Sequence, residues 1–144
     1  MTDVGRNNVR AGFTLIELMI AITILAIISA IAVPAVMSRL AEAKIGSAKT
    51  NLNVLKGAIM QYQLSIGQLP SRLKDLIKAP SDEKIKKKWN SPFIEKEKSL
   101  EDPWENPYQY KVNPAGAPHQ FELYSYGPNG KGSPQEEQID VWKI

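Results

Sequence analysis

The side chains that most often carry catalysis or bind transition metals are scarce in this chain. Its 144 residues include no cysteine and a single histidine, His119. A disulfide framework, a thiolate zinc site and a cysteine nucleophile are therefore excluded, and a Ser-His-Asp triad has little material. The adjacent Glu101 and Asp102 form no credible catalytic pair, and His119 follows Pro118 in a predicted turn at the surface. These residue types predict a protein that is not an enzyme.

The most unusual chemical group is a carboxylate in an apolar setting. Glu17 is the only charged residue of the apolar segment 13–38, which follows a polar leader, residues 1–12, with Arg6 and Arg10. An acidic side chain near the centre of a bilayer costs about 2.5–3.5 kcal/mol on insertion scales. Glu17 lies near one end of the segment, where it can reach the interface. It needs a partner or polar surroundings there.

The element that must hold Glu17 is long enough to cross a membrane. The uncharged stretch 18–38 covers about 30 Å of hydrocarbon at about 1.5 Å per residue of helix. Because the arginines precede this stretch, the positive-inside rule places the leader in the cytoplasm and the rest of the chain across the membrane. The net charge of +3 is too small to predict binding to nucleic acid.

Three interpretations of this N-terminal segment are open. A cleaved secretory signal peptide would end at the A-x-A sequence of residues 30–32, but a charge such as Glu17 is foreign to its apolar region. A plain membrane anchor does not explain why the segment carries a charge as costly as Glu17. The third interpretation comes from residues 12–17, which read GFTLIE and lie between the basic leader and the apolar segment.

The GFTLIE motif resembles the prepilin peptidase recognition motif of the type IV pilin and pseudopilin superfamily. In that family the peptidase cuts after the glycine and N-methylates the new first residue. The resemblance implies cleavage between Gly12 and Phe13, removal of the leader 1–12 and retention of the apolar helix. It also implies an assembly role for Glu17, whose carboxylate would meet the N-terminal amine of a neighbouring subunit, neutralise both charges and fix the axial register.

Apolar periodicity downstream of this segment predicts that the helix continues to residue 66. Pro34 removes one helical hydrogen bond and predicts a kink, and pilin-like proteins carry a proline at this place. Beyond it, apolar residues recur at alternating intervals of three and four, as on the buried face of an amphipathic helix. The face comprises Ile45, Ala48, Leu52, Leu55, Ile59, Tyr62 and Ile66. Gly67 and Pro70 predict the helix end.

The remaining chain predicts a small antiparallel sheet. Residues 108–112 and 120–126 alternate between apolar and polar and are joined by a turn, which is typical of a hairpin, and 139–144 adds a short third strand. Before the sheet, a short helix is predicted at 71–78. A charged, solvated loop pinned by two aromatic residues is predicted at 81–98.

Two segments of the C-terminal half resemble the major pseudopilin of the type II secretion system rather than pilins at large. Residues 102–108, DPWENPY, are similar to that family's D-P-W-G-x-x-Y segment. Residues 122–130, ELYSYGPNG, are similar to its F-S-L-G-x-D-G segment, and are followed by DVW at 140–142. The absence of a C-terminal cysteine pair also fits, because many type IV pilins carry a disulfide there.

The same resemblance implies calcium in the loop between the last two segments. The matching positions are Asn129, which replaces the family's usual aspartate, Asp140, and the backbone carbonyl of Tyr126. Asn129 keeps an oxygen but removes a charge, so weaker calcium binding is expected. Glu136 or Glu137 is able to supply that charge. A Gly- and Pro-rich turn without metal is the alternative.

Together these implications describe a pilin-like α+β fold, with one long N-terminal helix packed on a small antiparallel sheet. The organisation is a leader at 1–12, a transmembrane and assembly half at 13–38, and a periplasmic head domain at 39–144. The implied protein is a major pseudopilin with a single span in the bacterial inner membrane. It would polymerise into the periplasmic pseudopilus, a helical filament that helps to export folded proteins across the outer membrane.

The implied partners are other copies of the chain, minor pseudopilins, the prepilin peptidase, the inner-membrane assembly platform and the secretion ATPase. Nucleic acid is not among them. One alternative is a subunit of a type IV pilus or DNA-uptake pilus. The other, from a different class, is a membrane-anchored periplasmic enzyme, which the missing catalytic residues disfavour.

Overall fold

The computed structural model describes residues 12–144. Only Gly12 of the predicted leader 1–12 belongs to this part, so the rest of the leader and its two arginines lie outside the described residues. The chain divides into two compact units between Leu40 and Ala41, which are described separately.

Helix α1 (Leu15–Ile66) is the longest element. It continues through Pro34, although proline has no amide hydrogen to donate to the preceding turn. The Gly67 amide donates to the carbonyl of Gln63 at 2.8 Å, and the positive φ of 95° at Gly67 ends the helix. The predicted long helix is therefore confirmed, while the kink at Pro34 stays a prediction.

The C-terminal half of α1 contributes one face to the core of the second unit. The buried residues of this face are Ala48, Leu52, Leu55, Ala58, Ile59, Tyr62 and Ile66. They belong to the same cluster as Tyr108, Phe121 and Leu123. The prediction was wrong for Ile45, which keeps 36% of its surface exposed, because the buried face begins one turn later at Ala48.

Three strands form an antiparallel sheet in the order β1-β2-β3. Strand β1 spans Gln109–Val112, β2 spans Phe121–Ser125 and β3 spans Ile139–Asp140. The central strand alternates between buried and more exposed residues, as the period of a half-buried strand requires. The hairpin and the fold class predicted from the sequence are both confirmed.

The third strand is shorter than predicted, and the reason lies at its last residue. The carboxylate of Asp140 accepts a hydrogen bond from the Trp142 amide at 2.9 Å, and its carbonyl accepts from the Lys143 amide at 3.0 Å. These bonds form a turn, because an aspartate can bind the backbone two residues onward. The chain therefore leaves the sheet after Asp140.

The segment 81–98 is not only the predicted loop, because it contains helix α2 (Glu83–Lys88). The Asp82 carboxylate caps this helix by accepting from the amides of Lys84 and Ile85, at 2.8 and 3.4 Å. The sequence carries this signal as an N-cap aspartate before a run of lysines. The dense charge of the segment instead favours a solvated loop, and that prediction missed α2.

Two aromatic residues anchor that segment, as predicted. The Trp89 indole donates to the carbonyl of Asp75 at 3.1 Å, and the Phe93 amide donates to the carbonyl of Leu76 at 2.8 Å. Both acceptors lie in a short 3-10 helix, Leu73–Leu76, which occupies the place of the helix predicted at 71–78. A second 3-10 helix, Glu97–Leu100, leads into the DPW segment.

Candidate functional site

Glu17 is held by reciprocal hydrogen bonds at the start of α1. The amide and hydroxyl of Thr14 donate to Oε2 of Glu17 at 2.8 and 2.9 Å, and the Glu17 amide donates to Oγ1 of Thr14 at 3.2 Å. This is a capping box, which satisfies amides that have no partner in a first helical turn. The T-x-x-E spacing inside GFTLIE carries this signal. Sequence reasoning gave Glu17 only an assembly role and so missed the capping box.

The capping box fixes where the carboxylate lies relative to the predicted cleavage site. Glu17 is bound through Thr14, the residue directly after Phe13, so its charge stays at the N-terminal end of the helix. A negative charge there also interacts favourably with the helix dipole. Because the Thr14 amide is not part of the Gly12–Phe13 bond, cleavage would leave both hydrogen bonds available.

The predicted cleavage site is open. Phe13 is 94% exposed, and a Cβ atom at Gly12 would meet no heavy atom within 4 Å among the residues described. Packing among residues 12–144 therefore does not require glycine at position 12. A requirement for glycine there would come from the peptidase that recognises the site.

The N-terminal unit exposes its apolar side chains around the helix surface. Every large apolar residue between Leu15 and Leu40 keeps at least half of its surface exposed. The most apolar window of α1 has a mean hydropathy of 2.6 with none of it buried, unlike the core helix of a soluble protein. By length and composition this segment can cross a membrane, and a signal sequence passes the same test. It needs lipid or protein to cover it.

In the second unit, Asp102 organises the DPW segment. Its Oδ1 atom accepts from the amides of Trp104 and Asn106, at 3.0 and 2.9 Å, and Oδ2 accepts from the Ser125 hydroxyl at 2.5 Å. Asp102 is 5% exposed, so these bonds satisfy a carboxylate that has little contact with water. Sequence reasoning rejected Asp102 as a catalytic residue and placed it in the DPW segment, but it missed this structural role, although Asp-Pro favours turns.

The turn that Asp102 organises places Glu105 in an unusual backbone conformation. Glu105 has a φ of 66°, the only positive φ of a non-glycine residue in the described part of the chain. The left-handed region favours glycine, because other residues bring Cβ too close to the backbone. The similar D-P-W-G-x-x-Y segment has glycine at this position. Glu105 therefore adopts a conformation for which glycine is better suited.

Trp142 joins the C-terminus to the sheet and to α1. Its indole donates to the carbonyl of Phe121 at 2.9 Å, and Lys56 Nζ lies 3.9 Å from the ring centroid, a cation–π distance. The ring of His119 stacks on Trp142 with centroids 4.2 Å apart. His119 is exposed, as predicted, and acts here as a stacking partner.

The residues matched to a calcium site lie in different surroundings. Asn129 lines a cleft with Trp104. Asp140 lines another cleft with Glu122, beside its strand partner Tyr124. Tyr126, whose carbonyl belongs to the same predicted set, follows directly after β2. Asn129 and Asp140 therefore line two different clefts.

Both of these side chains also have other hydrogen-bond partners. The Asn129 amide nitrogen donates to Oε2 of Glu137 at 2.7 Å, while Asp140 binds the Trp142 amide. Within residues 12–144, no group of three or more His, Cys, Asp or Glu side chains is placed to hold a metal ion. Calcium takes six to eight oxygen ligands, usually including several carboxylates. The donor set of this loop does not fit that requirement, and calcium binding stays a prediction of the resemblance.

Two family models match this chain, one over the N-terminal segment that contains GFTLIE and one over the chain that follows it. Residues 35–144 match the model of type II secretion system (T2SS), protein G. Residues 7–33, which include GFTLIE, match the prokaryotic N-terminal methylation motif. The two matches together cover both the apolar helix and the head domain, and they confirm the resemblance drawn from the motifs.

Individual relatives and a solved structure agree with the family models. The type II secretion system core protein G of Pseudomonas aeruginosa is 39% identical over 138 residues, covering 92% of this chain and 95% of that protein. The protein of the same name from Xanthomonas campestris is 30% identical, covering 92% and 88%. The major pseudopilin of enterohaemorrhagic Escherichia coli shares the fold, with a TM-score of 0.60 and 20% identity over 75% of this chain and 94% of that one. The chain belongs to the type II secretion system protein G family.

Proposed function

We propose that this chain is the major subunit of a pseudopilus, the periplasmic filament of a type II secretion system that helps to export folded proteins. The observation that carries the proposal is the exposed apolar surface of residues 15–40, with Glu17 as its single charge before Arg39. Such a surface is stable only in a bilayer or against other protein. A subunit that is stored in a membrane and then polymerises uses both environments.

Burial of this surface supplies the energy that favours packing in the filament. Apolar surface removed from water contributes about 25 cal/mol per Å². Within the bilayer lipid covers the helix, so association there gains little from the hydrophobic effect. Once extracted, the helix is covered by the helices of neighbouring copies. Contacts between unlike surfaces of identical subunits that do not close into a ring give an open helical filament.

Glu17 sets the register between those helices. Cleavage after Gly12 would give Phe13 a cationic amine, and the capping box keeps the Glu17 carboxylate at the same end of the helix. A carboxylate surrounded by apolar side chains is strongly destabilising unless it is paired. The amine of Phe13 in a neighbouring copy is a partner of the right charge and position. Pairing would be complete only in the correct axial register.

Processing and assembly require further components. The methylation motif at 7–33 supports cleavage and methylation by a prepilin peptidase, with the head domain in the periplasm and a single span in the inner membrane. Family membership supports assembly with minor pseudopilins, an inner-membrane platform and the secretion ATPase. The filament subunit itself binds and packs, and it needs no catalytic residues.

The experiment that tests this proposal replaces Glu17 in cells that carry the secretion machinery. We expect Glu17→Ala to be processed normally but to form no pseudopili and to stop secretion. Glu122→Ala, at an exposed acidic position on β2, is the matched control and should assemble as the wild type does. Cross-linking between subunits and electron microscopy of overproduced filaments measure assembly. Normal filaments from Glu17→Ala would refute the pairing role.

The processing step has its own measurement. The intact mass of the membrane-extracted protein should correspond to a chain that begins at Phe13 and carries one added methyl group. A chain that begins at Met1 would contradict processing. A chain that begins at Val33 would instead identify residues 1–32 as an ordinary signal peptide.

A further inference from the structure

We propose that the loop of residues 126–138 closes without calcium and is held by hydrogen bonds among its own side chains and backbone. This departs from the calcium site that the family resemblance implies. It concerns the stability of the head domain and is independent of the filament function proposed above. Four observations on the loop carry it.

The first observation is the contact that spans the loop. The Asn129 amide nitrogen donates to the Glu137 carboxylate at 2.7 Å, and both residues are exposed. An aspartate at position 129 would place two negative charges against each other, an arrangement that a divalent cation stabilises. The amide supplies a hydrogen instead and satisfies the carboxylate directly. The contact therefore carries one negative charge instead of two, and its carboxylate already has a hydrogen-bond donor.

The second observation is a set of bonds around Ser133, a residue that is 8% exposed. Its hydroxyl donates to the carbonyl of Gly130 at 2.6 Å, and its own carbonyl accepts from the Gln138 side chain at 3.1 Å. These bonds tie the middle of the loop to both of its arms. Buried polar groups that are satisfied in this way do not need an ion.

The third observation is that backbone carbonyls of the loop already serve as acceptors. Gly127 O accepts from the Gly130 amide at 3.2 Å, and Pro134 O accepts from the Glu137 amide at 3.0 Å. Calcium often takes carbonyl oxygens as ligands. Here a bound ion would compete with turns that the loop makes by itself.

The two ends of the loop are also brought together by the protein alone. Ser125 pairs with Ile139 across β2 and β3. A Cβ atom at Gly127 would lie 3.2 Å from the carbonyl oxygen of Glu137, and Gly127 has a φ of 74°. The close approach and the left-handed backbone both favour glycine at this position. Strand pairing and a glycine thus close the loop at its base.

The direct test measures the melting temperature of the full processed chain in detergent, with excess EGTA and then with millimolar calcium chloride. We expect the two temperatures to agree within about 1 °C. A calcium site with a Kd a hundredfold below the calcium concentration would raise Tm by more than about 10 °C in a domain of this size. A rise of several degrees with calcium would overturn the proposal.

A variant tests the bond between Asn129 and Glu137. In EGTA, Asn129→Asp should melt about 2–6 °C below the wild type, because two carboxylates then face each other. Glu136→Gln, next to the same contact, is the matched control and should melt as the wild type does. An unchanged Tm for Asn129→Asp would also overturn the proposal. Neither result bears on filament formation, which is measured separately through Glu17.

Discussion

The Ser125 hydroxyl donates to the Asp102 carboxylate at 2.5 Å, across 23 positions of sequence, and both residues are buried. The same hydroxyl oxygen accepts from the Gly127 amide at 3.0 Å. Asp102 organises the DPW turn, and Gly127 begins the closure of the loop 126–138. One serine therefore connects the two C-terminal segments by which the chain resembles the major pseudopilins. Their residues stabilise each other rather than forming two separate sites.

Removing the Asp102 carboxylate should destabilise the head domain strongly. Asp102→Ala leaves the buried Ser125 hydroxyl and the partly buried amides of Trp104 and Asn106 without their acceptor. We expect a loss of about 2–4 kcal/mol in the free energy of unfolding. Chemical denaturation followed by tryptophan fluorescence measures it. Glu101→Gln, at the adjacent exposed position, should cost less than about 0.5 kcal/mol. Equal effects of the two substitutions would contradict the role of Asp102.

The strained backbone at Glu105 predicts a stabilising substitution. Glycine adopts a φ near 66° without the steric cost that a Cβ atom adds. Glu105→Gly should therefore raise the free energy of unfolding by about 0.5–1 kcal/mol, after the greater entropy of glycine in the unfolded chain is included. Glu105→Ala removes the same carboxylate but keeps Cβ, and should give no such gain. If both variants were equally stable, side-chain effects and not the backbone would be responsible.

The hydroxyl of Tyr108 predicts a second stabilising substitution. Tyr108 is 4% exposed, and its hydroxyl has no hydrogen-bond partner among the described residues. A buried polar group without a partner costs stability, so Tyr108→Phe should gain about 0.5–1.5 kcal/mol at neutral pH. Tyr110→Phe is a suitable contrast, since it removes a hydroxyl that donates to Pro70 O at 2.9 Å. Tyr110→Phe should lower the free energy of unfolding, whereas Tyr108→Phe should raise it.

The raised pKa of Tyr108 also predicts how the stability of the head domain changes at alkaline pH. Burial raises the pKa of Tyr108. The nearby Asn51 side chain partly offsets this rise, although it forms no hydrogen bond of standard geometry with the hydroxyl. In the unfolded chain a tyrosine has a pKa of about 10. Below that pH both states are protonated and stability is unaffected. As pH rises through about 10, the unfolded state ionises first and stability falls. Tyr108→Phe should make this decline less steep, which urea denaturation at pH values from about 8 to 11 would show.

The long helix and the hairpin were predictable because their signals are local and periodic. The same periodicity placed Ile45 on the buried face wrongly, since it cannot tell where the rest of the head domain begins to cover α1. The bond between Asp102 and Ser125 was not predictable. It depends on the end of β2 meeting a turn 23 positions earlier in sequence.

The placement of Asn129 and Asp140 was beyond sequence reasoning for a similar reason. Asp140 pairs with Tyr124 in the sheet, and strand register decides on which face its carboxylate lies. Asn129 lies in a loop whose path follows from turns and from Glu137. Matching single positions to a family motif supplies residue types but not these orientations. The capping box and the cap of α2 are different, because their spacing was present in the sequence.

The capping box of α1 predicts an effect that separates the two roles of Glu17. Thr14→Val keeps the shape of the side chain but removes the hydroxyl that bonds to the Glu17 carboxylate and amide. The first turn should then lose about 1 kcal/mol, as other N-cap replacements do. Amide hydrogen exchange of residues 15–18 in detergent should become faster, while Thr14→Ser retains the hydroxyl and the protection. The Glu17 charge remains in both variants, so neither should prevent pairing with a neighbouring amine. Equal exchange in Thr14→Val and the wild type would show that the capping box does not hold the first turn.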